Sequence, residues 1–562
     1  MLRLARFLKG HIPQAIIAPL CKLIEAIAEL AVPMIVANVI DVGIANGDKA
    51  YVIKYCIIIA ALAVGGFIIS VTGQYLASKV SLGFGTKLRA ETFKRVNALP
   101  SPAANDIGSA SLVTRITSDV LNCQNTVNMF LRLVLRTPFV LVGALVMSMI
   151  IDPVLSLLFV AMVLLLGAII TCVLKISLPR IKRAQKNLDE LSRSSAESLT
   201  GARVIRAFSK QTATEDAFSS AADATAKTNI GAARIHALLN PLTFAVVNLA
   251  IIAVLWLGGY KVNSGALTQG QIVALINYLN QALAVIIVVG NVFSVFTRSA
   301  ACAARVNEIL DATPDADGEL AEIKDGDEIL RFDNVSFAYD GDYDVRDISF
   351  TLERGKTLGI IGGTGSGKST VINLIERFYT PDVGSIAFCG EPINSYRADV
   401  FRSRIGYVPQ RAAVLTGTIR SNLEIACPSL TEERAVAALK TAQADELLSS
   451  HGLDGEIAQD GKNLSGGQRQ RVSIARSLCR DNILYLFDDA TSALDYRTER
   501  NFIDAMKSVS GAKIFVSQRI SAVSGCDEIL VLDNGRIVGR GTHAELKRDC
   551  PLYAEFCASQ MG

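Results

Sequence analysis

Histidine and tryptophan are scarce in this sequence, and its cysteines do not form the pairs that metal sites use. The 562 residues include one tryptophan, eleven cysteines without a single C-x-x-C pair, and four histidines: His11, His236, His451 and His543. Structural zinc and a disulfide framework are therefore poorly supported. The net charge of +3 does not suggest the basic surface of a nucleic-acid-binding protein, so we expect no nucleic-acid partner.

What the chain does have is long apolar sequence, concentrated in its first half. Hydrophobic residues make up 50% of the chain, and the run Pro153–Lys175 is long enough to cross a bilayer about 30 Å thick. Similar runs predict six spans, at about residues 13–44, 51–75, 130–151, 153–174, 239–257 and 272–296. The alternative is buried core helices of a soluble protein, but no comparable run follows Asp311. We therefore predict an all-α transmembrane domain at residues 1–310.

Basic residues are distributed unevenly between the loops that join these spans. They cluster before the first span, between the second and third, and after the fourth, whereas the opposite loops carry little more than Lys49, Lys54 and Lys261. Basic loops remain in the cytosol. We therefore expect a multi-pass protein of a bacterial-type plasma membrane, with its N-terminus and its second half in the cytosol.

Two of the cytosolic loops continue the helical pattern well beyond the bilayer. One contains RAETFKRVNAL and the other RAQKNLDELSRSSAESLTGARVIRAFSK, and each reverses at a small, glycine-containing stretch, near Asp106–Ser111 and Thr200–Ala202. We interpret them as helical arms that extend the membrane domain into the cytosol.

After a linker at residues 311–328, the composition changes to alternating strands, glycine turns and charged helices, which predicts an α/β phosphate-binding-loop domain with a helical subdomain at residues 329–562. The stretch TLGIIGGTGSGKST contains G-x-x-x-x-G-K-S, a loop whose backbone amides wrap phosphates. Lys368 is expected to reach the terminal phosphates, and Ser369 to bind Mg²⁺. The predicted ATP-binding residues of this loop are Gly362, Gly363, Thr364, Gly365, Ser366, Gly367, Lys368, Ser369 and Thr370.

Two further motifs narrow the class of nucleotide site. The apolar strand ILYLFDD delivers Asp488, a second candidate ligand for Mg²⁺. The segment LSGGQ forms a turn rich in hydrogen-bond donors at the start of a helix, and a helix N-terminus of this kind is a second candidate anion-binding site. The predicted ATP-binding residues of this segment are Leu464, Ser465, Gly466, Gly467 and Gln468. Two phosphate cradles in one chain suggest sites that are completed between two subunits.

LSGGQ between a phosphate loop and a strand-acid motif resembles an ABC ATPase domain, and the six spans before it resemble an ABC exporter half-transporter. Segments such as ESLTGARVIRAFSKQ and GSASLVTRITSDV are similar to the exporter membrane domain, so the resemblance covers nearly the whole chain. It implies that Tyr339 stacks on adenine and that Gln410 senses Mg²⁺. It also implies that Ser492–Asp495 crosses to a partner subunit, and that the turns near Asp106–Ser111 and Thr200–Arg206 are coupling helices.

The sequence departs from this family pattern at positions that carry chemistry. Members that hydrolyse ATP have Glu where this chain has Asp489, and His where it has Gln518 in FVSQRIS; a milder change places Gln459 where an acid is usual. Asp is one methylene shorter than Glu, and Gln cannot carry a proton as imidazole does. The resemblance is therefore to the degenerate-site subunit of a heterodimeric, multidrug-type exporter, whose partner supplies the normal Glu and His.

Alternatives to that hypothesis remain open at the level of sequence. A homodimeric exporter with slow turnover, an ATP-gated membrane scaffold and an importer on the same fold are each compatible with the motifs, whereas a soluble ATPase conflicts with six spans. The transported molecule is expected to be an amphipathic or hydrophobic small molecule, such as a drug, lipid or peptide.

Charged residues inside the spans offer two readings. Glu25 and Glu29 are one turn apart on the first span, as are Arg132 and Arg136 on the third. Intramembrane charges usually pair, so mutual neutralisation is the favoured interpretation. An acidic cavity wall that attracts cationic amphiphiles is the alternative.

Overall fold

The computed structural model describes residues 2–313, 318–324 and 326–561. Within these ranges it does not describe the side chains of residues 2, 174, 178, 236, 290, 291, 293, 294 and 561. The chain forms two compact units, one from Met1–Asn97 and Ser109–Ala312, the other from Ala98–Gly108 and Thr313–Gly562. Part of the linker expected at 311–328 lies outside the described residues.

The first unit is built from long helices. Within the described residues, six are long and apolar enough to cross a membrane, and each predicted span lies within one of them: α1 (Ile12–Ile44), α2 (Lys49–Asn97), α4 (Ser109–Ile151), α5 (Pro153–Thr200), α7 (Gln211–Asn263) and α8 (Gln269–Asp311). Short helices occupy Leu2–Leu8 and, as α6, Ala202–Ala207. The predicted six-helix membrane domain is thus confirmed, and α2 and α5 continue as unbroken helices through residues 89–97 and 183–200 of the two predicted arms.

Polar groups fix the ends of these helices where the apolar pattern stops. Asp152 caps α5 by accepting from the backbone N–H groups of Val154 and Leu155 at 2.9 and 2.8 Å, and Pro153 at the first helical position needs no such partner. Asp41 accepts from the backbone N–H of Gly270 at 2.7 Å, which ties the end of α1 to the start of α8.

The intramembrane acids are paired, in partial agreement with the favoured interpretation. Glu29 on α1 forms an ion pair with Arg136 on α4 at 2.6 Å. Glu25 pairs instead with Lys22 at 2.6 Å, because that lysine is one turn away on the same helix. Arg132 donates only to the Asn128 side chain, at 3.5 Å, among the residues described. Neither glutamate is therefore a free negative charge.

The described part of the second unit contains three sheets, of which the smallest is the antiparallel pair β7-β8. A six-stranded sheet has the order β12-β11-β3-β10-β9-β6 and is parallel except for β12, and a four-stranded antiparallel sheet has the order β2-β1-β4-β5. The strands are β1 (Glu328–Phe337), β2 (Val345–Glu353), β3 (Thr357–Gly362), β4 (Val383–Phe388), β5 (Glu391–Pro392), β6 (Ile405–Val408), β7 (Gly417–Thr418), β8 (Glu456–Ile457), β9 (Leu484–Asp488), β10 (Ala512–Ser517), β11 (Glu528–Asp533) and β12 (Arg536–Gly541).

Helices of the second unit cover the sheets and carry the motif residues. They are α3 (Ser101–Ile107), α9 (Lys368–Ile375), α10 (Ala398–Arg402), α11 (Ile419–Glu424), α12 (Glu432–Thr441), α13 (Asp445–His451), α14 (Gly466–Leu478), α15 (Tyr496–Met506), α16 (Ile520–Val523), α17 (His543–Asp549) and α18 (Pro551–Met561). The fold class predicted for the second half, an α/β phosphate-loop domain with a helical part, is confirmed.

Helix α3 comes from the first cytosolic loop yet belongs to the second unit. The Asn105 amide donates to the Tyr379 hydroxyl at 3.2 Å, and Gly108, with φ +78°, ends the helix. A positive φ favours glycine, which explains why the chain reverses within the predicted stretch Asp106–Ser111. The second predicted reversal falls at Gly201, between α5 and α6.

Candidate functional site

Three buried parallel strands end side by side and bring the predicted site residues to one edge of the sheet. Strand β10 pairs with β3 on one side and β9 on the other, with Ser517 beside Ile361 and Val516 beside Asp488. The carboxyl ends of parallel strands form the usual binding edge of an open α/β sheet. The phosphate loop after β3, Asp488 at the end of β9 with Asp489 after it, and Gln518 after β10 therefore lie together.

The phosphate loop requires its glycines for steric reasons. Gly367 has φ +95°, and a Cβ there would lie 2.7 Å from the Val345 side chain. A Cβ on Gly362 would lie 2.3 Å from the carbonyl oxygen of Leu532. Between them, Gly363, Thr364 and Gly365 are exposed, so the backbone of the loop is open to a ligand. The start of α9 directly behind it favours negative charge.

Lys368 lies within this loop. Its Nζ donates to the carbonyl oxygens of Gly362 and Gly363, at 2.8 and 2.6 Å, and to the Ser366 hydroxyl at 3.2 Å. Burial lowers the pKa of Lys368, while the charges of Asp489 and Asp488 act in the opposite direction. The ammonium group is thus held where the predicted phosphates would lie.

The predicted Mg²⁺ ligands differ in exposure. Asp488 is buried, and burial, with the neighbouring Asp489 charge, raises its pKa to about 6, opposed by Lys368. Burial disfavours the charged form of this carboxylate, and a nearby cation would stabilise that form. Ser369 is exposed at the start of α9. Among the described residues, no group of three or more His, Cys, Asp or Glu side chains could hold a metal ion on its own.

Asp489 is held in a constrained geometry. Its backbone has φ +46°, its N–H donates to the carbonyl of Val516 at 2.8 Å, and its carboxylate accepts from the Ser517 hydroxyl at 3.2 Å. The short side chain is therefore engaged with the end of β10. A glutamate would carry its carboxylate one methylene further.

Gln518 has an exposed side chain, and its backbone is held by the last helix. The Gln560 amide on α18 donates to the carbonyl of Gln518 at 2.8 Å, and its oxygen accepts from the N–H of Ile520 at 2.8 Å. Sequence reasoning missed Gln560, because nothing in the C-terminal sequence indicates a contact with a segment 40 residues earlier.

A second group that sequence reasoning missed links Gln518 to the Ser492–Asp495 loop. Arg519 donates to the carbonyl oxygens of Ser492 and Leu494 at 3.0 and 3.3 Å. Glu499, which is buried, accepts from the hydroxyls of Thr491 and Ser521 at 2.6 and 2.9 Å. The position of Arg519 directly after Gln518 was the available signal. These bonds join the loop predicted to cross to a partner with the loop that follows β10.

The LSGGQ segment forms the expected helix start. The Ser465 hydroxyl caps α14 by accepting from the backbone N–H of Gln468 at 3.2 Å. In return, the Gln468 side-chain oxygen accepts from the backbone N–H of Ser465 at 2.8 Å. A Cβ on Gly466 would meet no atom within 4 Å, whereas one on Gly467 would lie 3.2 Å from the Ala493 carbonyl. The turn is therefore open on its outer side and touches the crossing loop on the other.

The remaining predicted contacts lie near this edge or on neighbouring elements. Tyr339 is half exposed, accepts from the Asn373 amide at 2.8 Å, and meets Tyr379 edge-on with ring centroids 4.9 Å apart. Gln410 is exposed just after β6, next to β9 in the sheet. Leu464 is buried under the start of α14, so its predicted role in binding is one of support rather than direct contact.

Comparisons with known proteins agree with this architecture. Residues 15–286 match the family model of the ABC transporter transmembrane region, and residues 345–492 match the family model named ABC transporter. An uncharacterized ABC transporter ATP-binding protein of Mycobacterium tuberculosis is 34% identical over 550 residues, covering 96% of this chain and 94% of that one. Another, of Bacillus subtilis, is 32% identical and covers 99% of this chain and 98% of its own.

A solved structure, that of a bacterial Atm1-family ABC exporter with ATP bound, has a TM-score of 0.82 at 24% identity and covers 98% of this chain and 99% of that one. At that identity the likeness shows the fold. Six apolar helices, an ATPase domain with both phosphate motifs, and full-length relatives lead to one conclusion. The chain belongs to the ABC transporter family, as a multi-pass half-transporter with a fused ATPase domain, and this layout of one membrane domain and one ATPase domain implies a dimer partner.

Proposed function

We propose that this chain is the ATP-holding half of a heterodimeric exporter, whose partner is a different half-transporter. The observation that carries the proposal is the combination of Asp489 and Gln518 with a complete phosphate loop and a complete LSGGQ segment. The chain would bind ATP and Mg²⁺ at its own loop, through the residues predicted above. Its LSGGQ would complete the second, competent site on the partner.

The geometry gives a physical reason for slow hydrolysis at this chain's own loop. Asp489 is short and already accepts a bond from Ser517, and a misplacement of around 1 Å can cost about 10²-fold in rate. Gln518 can donate a hydrogen bond to a γ-phosphate but cannot transfer a proton. Both losses affect turnover, whereas the residues that would hold phosphate and Mg²⁺ are retained.

The bonds of Arg519 offer a route by which the held nucleotide affects the partner. Arg519 follows Gln518 and fixes the carbonyls of Ser492 and Leu494, in the loop that the family resemblance assigns to the subunit interface. We propose that ATP held here keeps that loop in place, while hydrolysis at the competent site resets the dimer. The cargo would be an amphipathic or hydrophobic small molecule, since six apolar helices give a path for molecules that partition into lipid.

Two variants of this chain distinguish the two composite sites. The chain is isolated with an affinity tag from its native host, the co-purifying half-transporter is identified, and ATP turnover of the complex is measured. Gly466→Asp places a negative charge on the open side of LSGGQ and should abolish turnover. Gly466→Ala, whose added methyl meets no atom within 4 Å, is the matched control for folding.

Asp489→Asn should leave most of the turnover of the same complex intact, because the competent site uses the partner's glutamate. Loss of turnover in Asp489→Asn, together with normal turnover in Gly466→Asp, would contradict the proposal. So would a native complex that contains two copies of this chain and no partner.

A further inference from the structure

A cavity of about 390 Å³ lies within the membrane unit, between α4 and α8. Its lining residues are Asn122, Asn125, Asn128 and Met129 on α4, and Val295 and Arg298 on α8. The asparagines recur every three residues, so they share one face of α4. The volume is within the range of small-molecule sites.

The cavity lies at one end of the spans rather than at their centre. The apolar run of the third span begins at Phe130, just after the asparagines, and that of the sixth ends at Phe296, just before Arg298. On the orientation that the basic loops predict, this is the cytosolic end. A charged side chain is far less costly there than at the bilayer midplane.

Several cations of this unit are neutralised by acids, whereas Arg298 has no acid partner among the described residues. Ion pairs join Lys22 to Glu25 and Arg136 to Glu29, both at 2.6 Å, Arg115 to Glu308 at 2.8 Å, and Arg305 to Asp119 at 2.6 Å. Arg298 is exposed, has no ion-pair or hydrogen-bond partner in the described part of the chain, and shares the cavity lining with no acidic residue. The cavity is therefore positively charged.

The amides beside Arg298 differ in how far they are engaged. Asn128 is held, since it donates to the hydroxyls of Ser78 and Ser81 at 3.4 and 3.2 Å. Asn122 makes only a long contact with the Cys302 sulfur, at 3.7 Å. The Asn125 side chain is exposed, with no hydrogen-bond partner among the residues described. Arg132, which donates to Asn128, adds a second cation one turn along α4 and has a buried Nε without a partner in that same set.

We propose that this cavity binds the anionic group of the transported molecule, a carboxylate or a phosphate, through the Arg298 guanidinium and the Asn125 amide. Guanidinium pairs with such groups through two parallel hydrogen bonds, and the neighbouring apolar spans would receive the rest of an amphipathic molecule. That the bound molecule is the cargo rests on the proposed function, the export of an amphipathic molecule. An anionic cargo is favoured over the cationic amphiphiles that an acidic cavity wall would attract, because Glu25 and Glu29 are both paired with basic side chains.

The test is ligand binding to the nucleotide-free, full-length chain in phosphatidylcholine nanodiscs, measured by calorimetry. The probes are hexyl phosphate, hexanamide and hexyltrimethylammonium, which share one apolar tail. We expect hexyl phosphate to bind at least about ten-fold more tightly than either other probe, as for a hydrogen bond to a charged group. Equal affinities, or tighter binding of the cation, would overturn the proposal.

Three variants test the residues named. Arg298→Gln should raise the Kd for hexyl phosphate about ten-fold. Asn125→Asp is the second variant, used if Arg298→Gln does not fold, and the same rise in Kd is expected for it. Arg193→Gln, on the exposed part of α5, is the matched control and should leave the Kd unchanged. An unchanged Kd in a folded Arg298→Gln chain would refute the assignment.

A second arm separates the two sources of such an anion. Replacing part of the phosphatidylcholine by phosphatidylglycerol should weaken hexyl phosphate binding if the site takes a lipid headgroup, and should have no effect if it takes a free amphiphile; both results support an anion site. Because no ATP is present, a failure of the degenerate-site proposal does not alter these results. Absence of probe binding alongside normal ATP turnover would overturn only the cavity.

Discussion

Single residues of the ATPase domain separate the holding of ATP from its hydrolysis. Lys368 sits in the phosphate loop with three bonds to that loop, whereas Asp489 is engaged with Ser517. We expect Lys368→Ala to weaken ATP binding at least about ten-fold, since a charged hydrogen-bond partner is lost. Asp489→Asn should bind ATP no more weakly than the parent chain. Equilibrium binding of ATP to both variants checks this, and equal losses would contradict a site kept for holding nucleotide.

Glu376 gives a pH-dependent prediction at the same scale. It follows α9, and its buried Oε1 has no hydrogen-bond partner among the described residues. Burial raises its pKa from 4.5 to about 7, against the charges of Arg402 and Arg480. The folded state then binds more protons than the unfolded state between those two values. The free energy of unfolding therefore falls as pH rises through this window, by up to about 1.4 kcal/mol per unit.

Glu376→Gln removes the group that must be charged at high pH. The variant should be more stable than the parent chain at pH 8, by up to about 3 kcal/mol, and close to it at pH 5. Thermal unfolding of the full-length protein in detergent at both values measures the difference. Glu555→Gln, at an exposed position of α18, is the control. A difference independent of pH would mean that packing rather than charge is responsible.

At the scale of elements, α18 positions the segment that follows β10. Gln560 makes two hydrogen bonds to the backbone of Gln518 and Ile520, so Gln560→Ala should loosen that segment. We expect the amide of Ile520 to exchange about five- to ten-fold faster, as for a net bond of about 1 kcal/mol. Hydrogen exchange with mass spectrometry on a peptide that covers residues 515–523 measures this.

Ser559→Ala is the matched control for Gln560→Ala. The Ser559 hydroxyl bonds within α18, to the carbonyl of Phe556 at 3.0 Å, and its loss should leave exchange at Ile520 unchanged. If Gln560→Ala leaves it unchanged as well, α18 does not hold the segment.

Elements were also where sequence and structure could best be compared. Local patterns predicted α2, α5 and the phosphate loop, because apolar runs, glycine spacing and helix starts are short-range signals. The bonds of Gln560 and the network of Arg519 and Glu499 depend on which distant segments the sheet order places together, and no local pattern encodes that order. The pairing of Glu25 was missed for a simpler reason. Lys22, one turn away on α1, was not considered as its partner.

At the scale of the whole molecule, the claim is that one chain supplies unequal halves of two sites. A homodimer of this chain would have two complete phosphate loops and two complete LSGGQ segments, but Asp489 and Gln518 in both sites. Binding and dimer closure would be possible in such an assembly, and only the step that splits ATP would be impaired. The effect of Asp489 and Gln518 on hydrolysis can therefore be measured on the purified chain, without a partner subunit.

The most direct measurement is the steady-state ATP turnover of the chain expressed alone, compared with that of the double variant Asp489→Glu, Gln518→His. We expect very slow turnover for the parent chain and a rate at least about 10²-fold higher for the double variant, with similar ATP binding by both. Parent turnover as fast as that of the double variant would contradict this expectation.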